Sequence, residues 1–196
     1  MTEDKPAYLR TDLQPALTTP RALNHIGMTV PDIEAAIAWY GKLFGFRLIM
    51  GPRVLAPSAA ATEETAHILG PRFRKALQAH LVTANGIGLE LFQFIDPPTE
   101  APADTMEYWK RGFWHICFTD PDIEALAERI VAEGGRKRTE VWAFIPGTDR
   151  KLCYCEDPFG NVIELFSHSY EQTFANWPLD GQTTETGPAP QQEKQK

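Results

Sequence analysis

HIGMTVPDIEA, from His25 to Ala35, returns as HICFTDPDIEA from His115 to Ala125, with eight of eleven positions identical. The offset between the copies is 90 residues. A second pair follows: ANGIGLELF ends at Phe92 and PFGNVIELF at Phe166, an offset of 74. A fixed-order repeat of this kind marks a duplicated module. The offsets differ by 16 residues, so the first copy carries an insertion, and Pro52, Pro57 and Pro71 place it near 52–75.

Within each copy the local reading is the same. Leu23 to Val30 and Phe113 to Thr119 mix apolar and β-branched residues over a strand's length. Pro31 and Pro121 suit a first helical position, and Asp120 is an N-cap candidate. Ile33, Ala36, Ile37, Tyr40 and Phe44 recur at helical spacing, as do Ile123, Leu126, Ala127, Ile130 and Val131. Gly45 and the pair Gly134 and Gly135 are natural stops. Strand-like runs follow at 46–50, 79–84 and 87–95, then at 138–144, 150–156 and 161–167. Each module therefore reads β-α-β-β-β, an α+β pattern.

Proline and composition divide the rest. The expected organisation is an N-terminal arm at 1–21, a first module at 22–97, a linker at 98–111, a second module at 112–170 and a flexible tail at 171–196. The tail rests on GQTTETGPAPQQEKQK, which has too few apolar residues to order itself.

Composition excludes several functions. Apolar residues make up 43% of the 196, enough for a sizeable core. The 26 acidic residues outnumber the 19 basic ones, giving a net charge of -7, which disfavours a nucleic-acid partner. No apolar run has the roughly 18 residues of a membrane span, and the first residues lack the apolar stretch of a secretory signal. Three cysteines, an odd number, argue against a disulfide framework. A cytoplasmic protein that acts on a small molecule is expected.

The chemistry sits on the repeat. His25 and His115 open the first strand of each copy, and Glu90 and Glu164 lie inside the apolar runs GLELF and VIELF. An unpaired carboxylate buried in such a run costs several kcal/mol. One divalent metal satisfies two imidazoles and two carboxylates together, which suits Zn, Ni, Co, Mn or Fe(II). A single strand histidine is usually core or surface; repetition of both residue types at matching positions points to ligands. His67, His80 and His168 lack a repeat partner and receive no ligand role. Arg53, Arg72, Arg74 and Lys75 cluster at the insertion and could hold an anionic substrate.

Over about residues 22–170 the chain resembles the vicinal oxygen chelate superfamily, which includes glyoxalase I, methylmalonyl-CoA epimerase, extradiol dioxygenases and the fosfomycin and bleomycin resistance proteins. The carriers are the two His strand starts, the PDIEA helix starts, LEL at 89–91 and DPFGNVIEL at 157–165. The resemblance implies two tandem βαβββ modules forming a cup-shaped mixed sheet around one metal site, the glyoxalase/dioxygenase-like fold. It places the metal ligands at His25, Glu90, His115 and Glu164. It also implies a lyase or isomerase in which Glu164 or Glu90 moves a proton on carbon while the ion stabilises an enediolate of a small bidentate oxygen substrate. Family members build this site within one chain or across a homodimer, and the linker permits both. Where glyoxalase I has an arginine that grips glutathione, four residues after the first histidine, this chain has Thr29. Two other functions occur in the same family: an Fe(II) or Mn(II) extradiol ring-cleavage dioxygenase, and a non-catalytic binding or resistance protein.

Overall fold

The computed structural model describes residues 21–57 and 67–175. Most of the expected arm and tail, and the middle of the insertion, lie outside the described residues.

The first module runs β1 (His25–Thr29), α1 (Ile33–Phe44), β2 (Arg47–Leu55), β3 (Lys75–Val82) and β4 (Gly88–Asp96). The second runs β5 (Ile116–Thr119), α2 (Ile123–Ala132), β6 (Arg136–Lys137), β7 (Trp142–Ala143), β8 (Lys151–Glu156) and β9 (Val162–Phe166). Helix α3 (Tyr170–Phe174) follows, where a tail was expected from 171. Ser169 and Gln172 close a reciprocal cap on it. Among the described residues no helix is long and apolar enough to cross a membrane.

Both modules use one topology. The first sheet has the order β1-β4-β3-β2, with β1 parallel to β4 and the rest antiparallel. The second has the order β5-β9-β8-β6, with β5 parallel to β9 and β7 also paired to β8. These are two open mixed sheets, each with a helix on one face.

The helices begin two residues later than the prolines indicate. Asp32 and Asp122 are the N-caps, accepting from the N–H groups of Ala35 and Ala125. Asp120 instead accepts from the N–H of Asp122, closing the turn that enters the helix. A cap contributes about 1 kcal/mol. Burial decides more: Ile33, Tyr40, Ile123 and Ile130 are fully buried, and each such side chain is worth about 1.5–3 kcal/mol.

Two strands differ from the sequence pattern. Strand β2 continues to Leu55 through Pro52, so the insertion begins later than expected. This edge strand slips register between Met50 and Arg53, and the proline's missing N–H falls in that slip. Gly51 is required there, because its φ is +90° and a Cβ would stand 2.5 Å from the Gln78 carbonyl oxygen. Of the strand expected at 138–144 only β7 forms, with β6 ahead of it at Arg136–Lys137. Between them the Thr139 hydroxyl accepts the Tyr154 N–H at 2.9 Å, replacing the carbonyl that would have continued the ladder.

One core joins the modules: residues of α1 and α2 pack with Ala79, Leu81, Leu89 and Leu91 of one sheet and Cys153, Cys155, Ile163 and Leu165 of the other. Phe118 stands between Phe44 and Phe46 at 4.6 and 5.3 Å, and the Trp39 indole donates to the Glu133 carbonyl at 3.0 Å.

Candidate metal centre

Alternation along a strand puts Gly88, Glu90, Phe92 and Phe94 on the face of β4 turned away from its helix. The parallel register of β1 with β4 sets Gly27 beside Glu90. His25 closes over this point, its Nε2 3.5 Å from Glu90 Oε2. A Cβ on Gly88 would lie 2.9 Å from the His25 Cβ, so the glycine makes room for the imidazole. The other ring nitrogen, Nδ1, meets Asn24 Oδ1 at 2.7 Å and fixes the ring's direction.

The second module repeats the pair. His115 precedes β5, and its Nε2 stands 3.2 Å from Glu164 Oε2 on β9. Cys117 lies in register with Glu164. Burial and the Glu164 carboxylate push the Cys117 thiol up, and burial with a hydrogen bond to Glu164 does the same to the Tyr154 phenol. The His115 ring packs on Trp114 at 4.1 Å and Tyr154 at 5.8 Å.

Two residues without a sequence-assigned role belong here. His80 on β3 is opposite Glu90, with its Nε2 3.6 Å from Glu90 Oε1. Tyr154 on β8 is opposite Glu164. His80 and Tyr154 are 74 positions apart, as the two glutamates are. The repeat therefore marks them, but as unlike residues, which a search for identities passes over. Gln78 is a third such residue: its amide donates to Glu90 Oε1 at 2.5 Å and accepts from Arg53 Nε at 2.8 Å.

The donor chemistry fits a divalent ion. Two atoms bound to one ion at about 2.1 Å, at angles between 90° and tetrahedral, sit about 3.0–3.4 Å apart. The Nε2–Oε2 separations of 3.5 and 3.2 Å are close to that span. His80 Nε2, 3.6 Å from Glu90 Oε1, is buried without a hydrogen-bond partner, which leaves donor capacity at that glutamate's edge.

The four sequence-assigned ligands come together as two pairs. Among the described residues no group of three or more His, Cys, Asp and Glu side chains is gathered as a metal cage. The reason lies in β1. Ile26 and Met28 line a cavity of about 340 Å³ shared with Trp114, His115 and Val162, so His25 and Gly27 take the other face of the strand. Within one chain the two donor pairs stay separate.

Of the cationic cluster, Arg53 holds Gln78, and Arg74 donates to the carbonyls of Pro71 and Phe73. Cys153 and Cys155 are buried free thiols, as their strand positions predict.

Known proteins share this fold. The family model described as the Glyoxalase/Bleomycin resistance protein/Dioxygenase superfamily matches residues 22–165. A lactoylglutathione lyase of Schizosaccharomyces pombe is 26% identical over 161 residues, which is 79% of this chain and 50% of that protein. The chain thus spans about half the length of this curated relative. A solved glyoxalase family protein from Bacillus cereus superposes with a TM-score of 0.59 at 24% identity, covering 78% of this chain and 97% of that one. A fosfomycin resistance protein variant from Listeria monocytogenes, complexed with Mn(II) and a dihydroxypropylphosphonic acid, gives a TM-score of 0.50 at 16% identity, over 79% and 98% of the two chains.

Proposed function

Because the chain belongs to the Glyoxalase/Bleomycin resistance protein/Dioxygenase superfamily, we propose that it is a metal-dependent lyase or isomerase of the glyoxalase type. It acts on a small substrate that presents two vicinal oxygens, and its sites are assembled from two copies of the chain. The observation that carries this reading is the pair of matched half-sites, His25 with Glu90 and His115 with Glu164, each with an imidazole and a carboxylate edge to edge.

A two-fold dimer supplies what one chain lacks. In an isologous pair the first half-site of each protomer meets the second half-site of its partner, which makes two equivalent sites. Exposed Tyr108, Trp109 and Phe113 beside His115 form the kind of apolar surface that a second copy would cover.

His25, Glu90, His115 and Glu164 would hold the ion, one per site, from among Zn, Ni, Co, Mn and Fe(II). When bound it supplies Lewis acidity to the substrate's paired oxygens. The remaining work falls to the chain. One of the two glutamates takes a proton from the carbon beside the carbonyl and returns it to the neighbouring carbon, a role that needs a carboxylate within hydrogen-bond reach. Gln78 orients Glu90 through Oε1, which sets Oε2 toward His25. The lactoylglutathione lyase relative supports this reaction class, while Thr29 in place of an arginine speaks for a thiol adduct other than glutathione's, or for none.

The test is metal analysis of the purified protein, followed by proton exchange in deuterated water with α-hydroxycarbonyl compounds. About one ion per chain and deuterium at the carbon next to the carbonyl are expected. Turnover of catechols that requires O₂ would instead establish the dioxygenase, and a metal-free protein unaffected by His115→Ala would establish a binder. Because Trp114 meets His115 edge to face at 4.1 Å, addition of Co(II) or Ni(II) should also quench its fluorescence, and Trp114→Phe should remove that change.

A further inference from the structure

A second cavity, of about 330 Å³, opens at the far end of the first module's site face, lined by Thr29, Leu69, Arg72, Phe73, Phe94 and Pro97 among others. Phe94 is four residues beyond Glu90 on the same face of β4, and Thr29 four beyond His25 on β1. The cavity therefore lies about 13 Å along the strands from the donor pair. Phe92 bridges the distance, stacked on Phe94 with centroids 5.8 Å apart and planes 11° from parallel.

The walls are built. On one side the turn at 70–73 is closed by the Phe73 N–H to the Gly70 carbonyl, and Arg74 clamps it through the carbonyls of Pro71 and Phe73. On the other side Thr99 holds the turn after β4: its hydroxyl accepts the Phe94 N–H at 3.0 Å, and its own N–H reaches the Phe94 carbonyl. Phe73 is buried against Leu55 and Ala76, with Phe92 and Phe94 packed on them. A pocket braced on both sides loses little freedom when it binds.

The charges select the ligand. Arg74 is committed to its turn, whereas among the described residues nothing pairs with the Arg72 guanidinium at the cavity. Glu100 also reaches the rim and is exposed. Lys75 stands opposite Asp96 in the β3–β4 register, so Arg72 is the cation at the cavity itself and Glu100 the anion.

We infer that this cavity binds a phenyl-sized apolar group carrying a carboxylate, and that it anchors the tail of the substrate whose oxygens are handled at His25 and Glu90. The second half rests on the proposed function; the first does not. An anchor remote from the reacting atoms supplies binding energy that orients the head of the molecule.

The experiment titrates phenylacetate into the metal-free full chain and follows backbone amide shifts. Shifts at Thr29, Leu69 and Thr99 are expected, with binding weakened about tenfold by Arg72→Gln and partly restored by Arg72→Lys. Phenethylammonium, the same ring with the opposite charge, should not bind there. Phenylacetate affinity unchanged in Arg72→Gln, equal binding of the cation, or shifts elsewhere would overturn the assignment. Metal content is measured on the same preparations as purified, before the metal is removed. Loss of metal with phenylacetate binding intact would sink the metal reading and leave the cavity assignment standing, and the converse holds as well.

Discussion

The phenol of Tyr40, on α1 of the first module, donates to the carboxylate of Asp157, in the turn before β9 of the second, at 2.8 Å. Asp157 also accepts the N–H groups of Phe159 and Asn161 and the Asn161 side-chain amide. The DPFGN run is thus a turn whose carboxylate is held by its own loop and by the other module. Tyr40→Phe keeps the ring, which is fully buried, and removes one donor to a charged acceptor. Destabilisation of about 1.5–3 kcal/mol is expected, read as a lower urea midpoint. A change below 0.5 kcal/mol would show that the joint is packing alone.

Burial raises the Asp157 carboxyl above its ordinary value, against hydrogen bonds from Asn161, Tyr40 and Phe159 that lower it. With the folded value above the unfolded one of about 3.9, the native state binds more protons between the two. This residue's contribution therefore falls as pH rises through that window and is level above it. Unfolding free energies of the parent and Asp157→Asn, measured from pH 4 to 7, should differ by an amount that declines with rising pH. A difference that grows with pH would contradict the assignment.

Glu156 is a buried carboxylate on β8 that gathers Arg136, Arg138 and the Thr105 hydroxyl. Thr105 belongs to the linker between the modules, so this cluster fastens the linker to the second sheet. Removing one partner of a buried ion pair typically costs 3–5 kcal/mol. Glu156→Ala strands Arg138, which is mostly buried, and should lose about that much. Arg136→Ala removes a side chain that is 63% exposed and should lose well under half as much. Thermal unfolding of the two variants separates them, and equal losses would refute the ordering.

Much of this architecture is legible in the chain because the repeat is written in residues with local meaning. The PDIEA copies mark both helix starts to within two residues, the apolar stripes give both helices, and the two offsets size the insertion. What escapes is set by geometry across strands. Thr139 interrupts the ladder through its hydroxyl, a contact that no propensity records. His80 and Tyr154 face the glutamates through antiparallel register, which pairs residues with no sequence proximity. The site is the extreme case. The four donors are visible as a quartet, yet the face that β1 turns toward His115 carries Ile26 and Met28, and that separates the quartet into halves.

The halves lead to a complementation test. A chain with His25→Ala and Glu90→Gln keeps only its second half-site, and a chain with His115→Ala and Glu164→Gln keeps only its first. Each alone should hold no tightly bound ion, because every site in its homodimer has one defective half. In a mixed dimer one site receives both intact halves and the other receives both defective ones. Random assortment of equal amounts makes half the dimers mixed, so metal per chain should recover to about one quarter of the parent value. Were the ligands of a site drawn from a single chain, no mixture would recover any. Dissociation and reassociation of the purified variants, followed by elemental analysis of the dimer fraction, reads the difference directly.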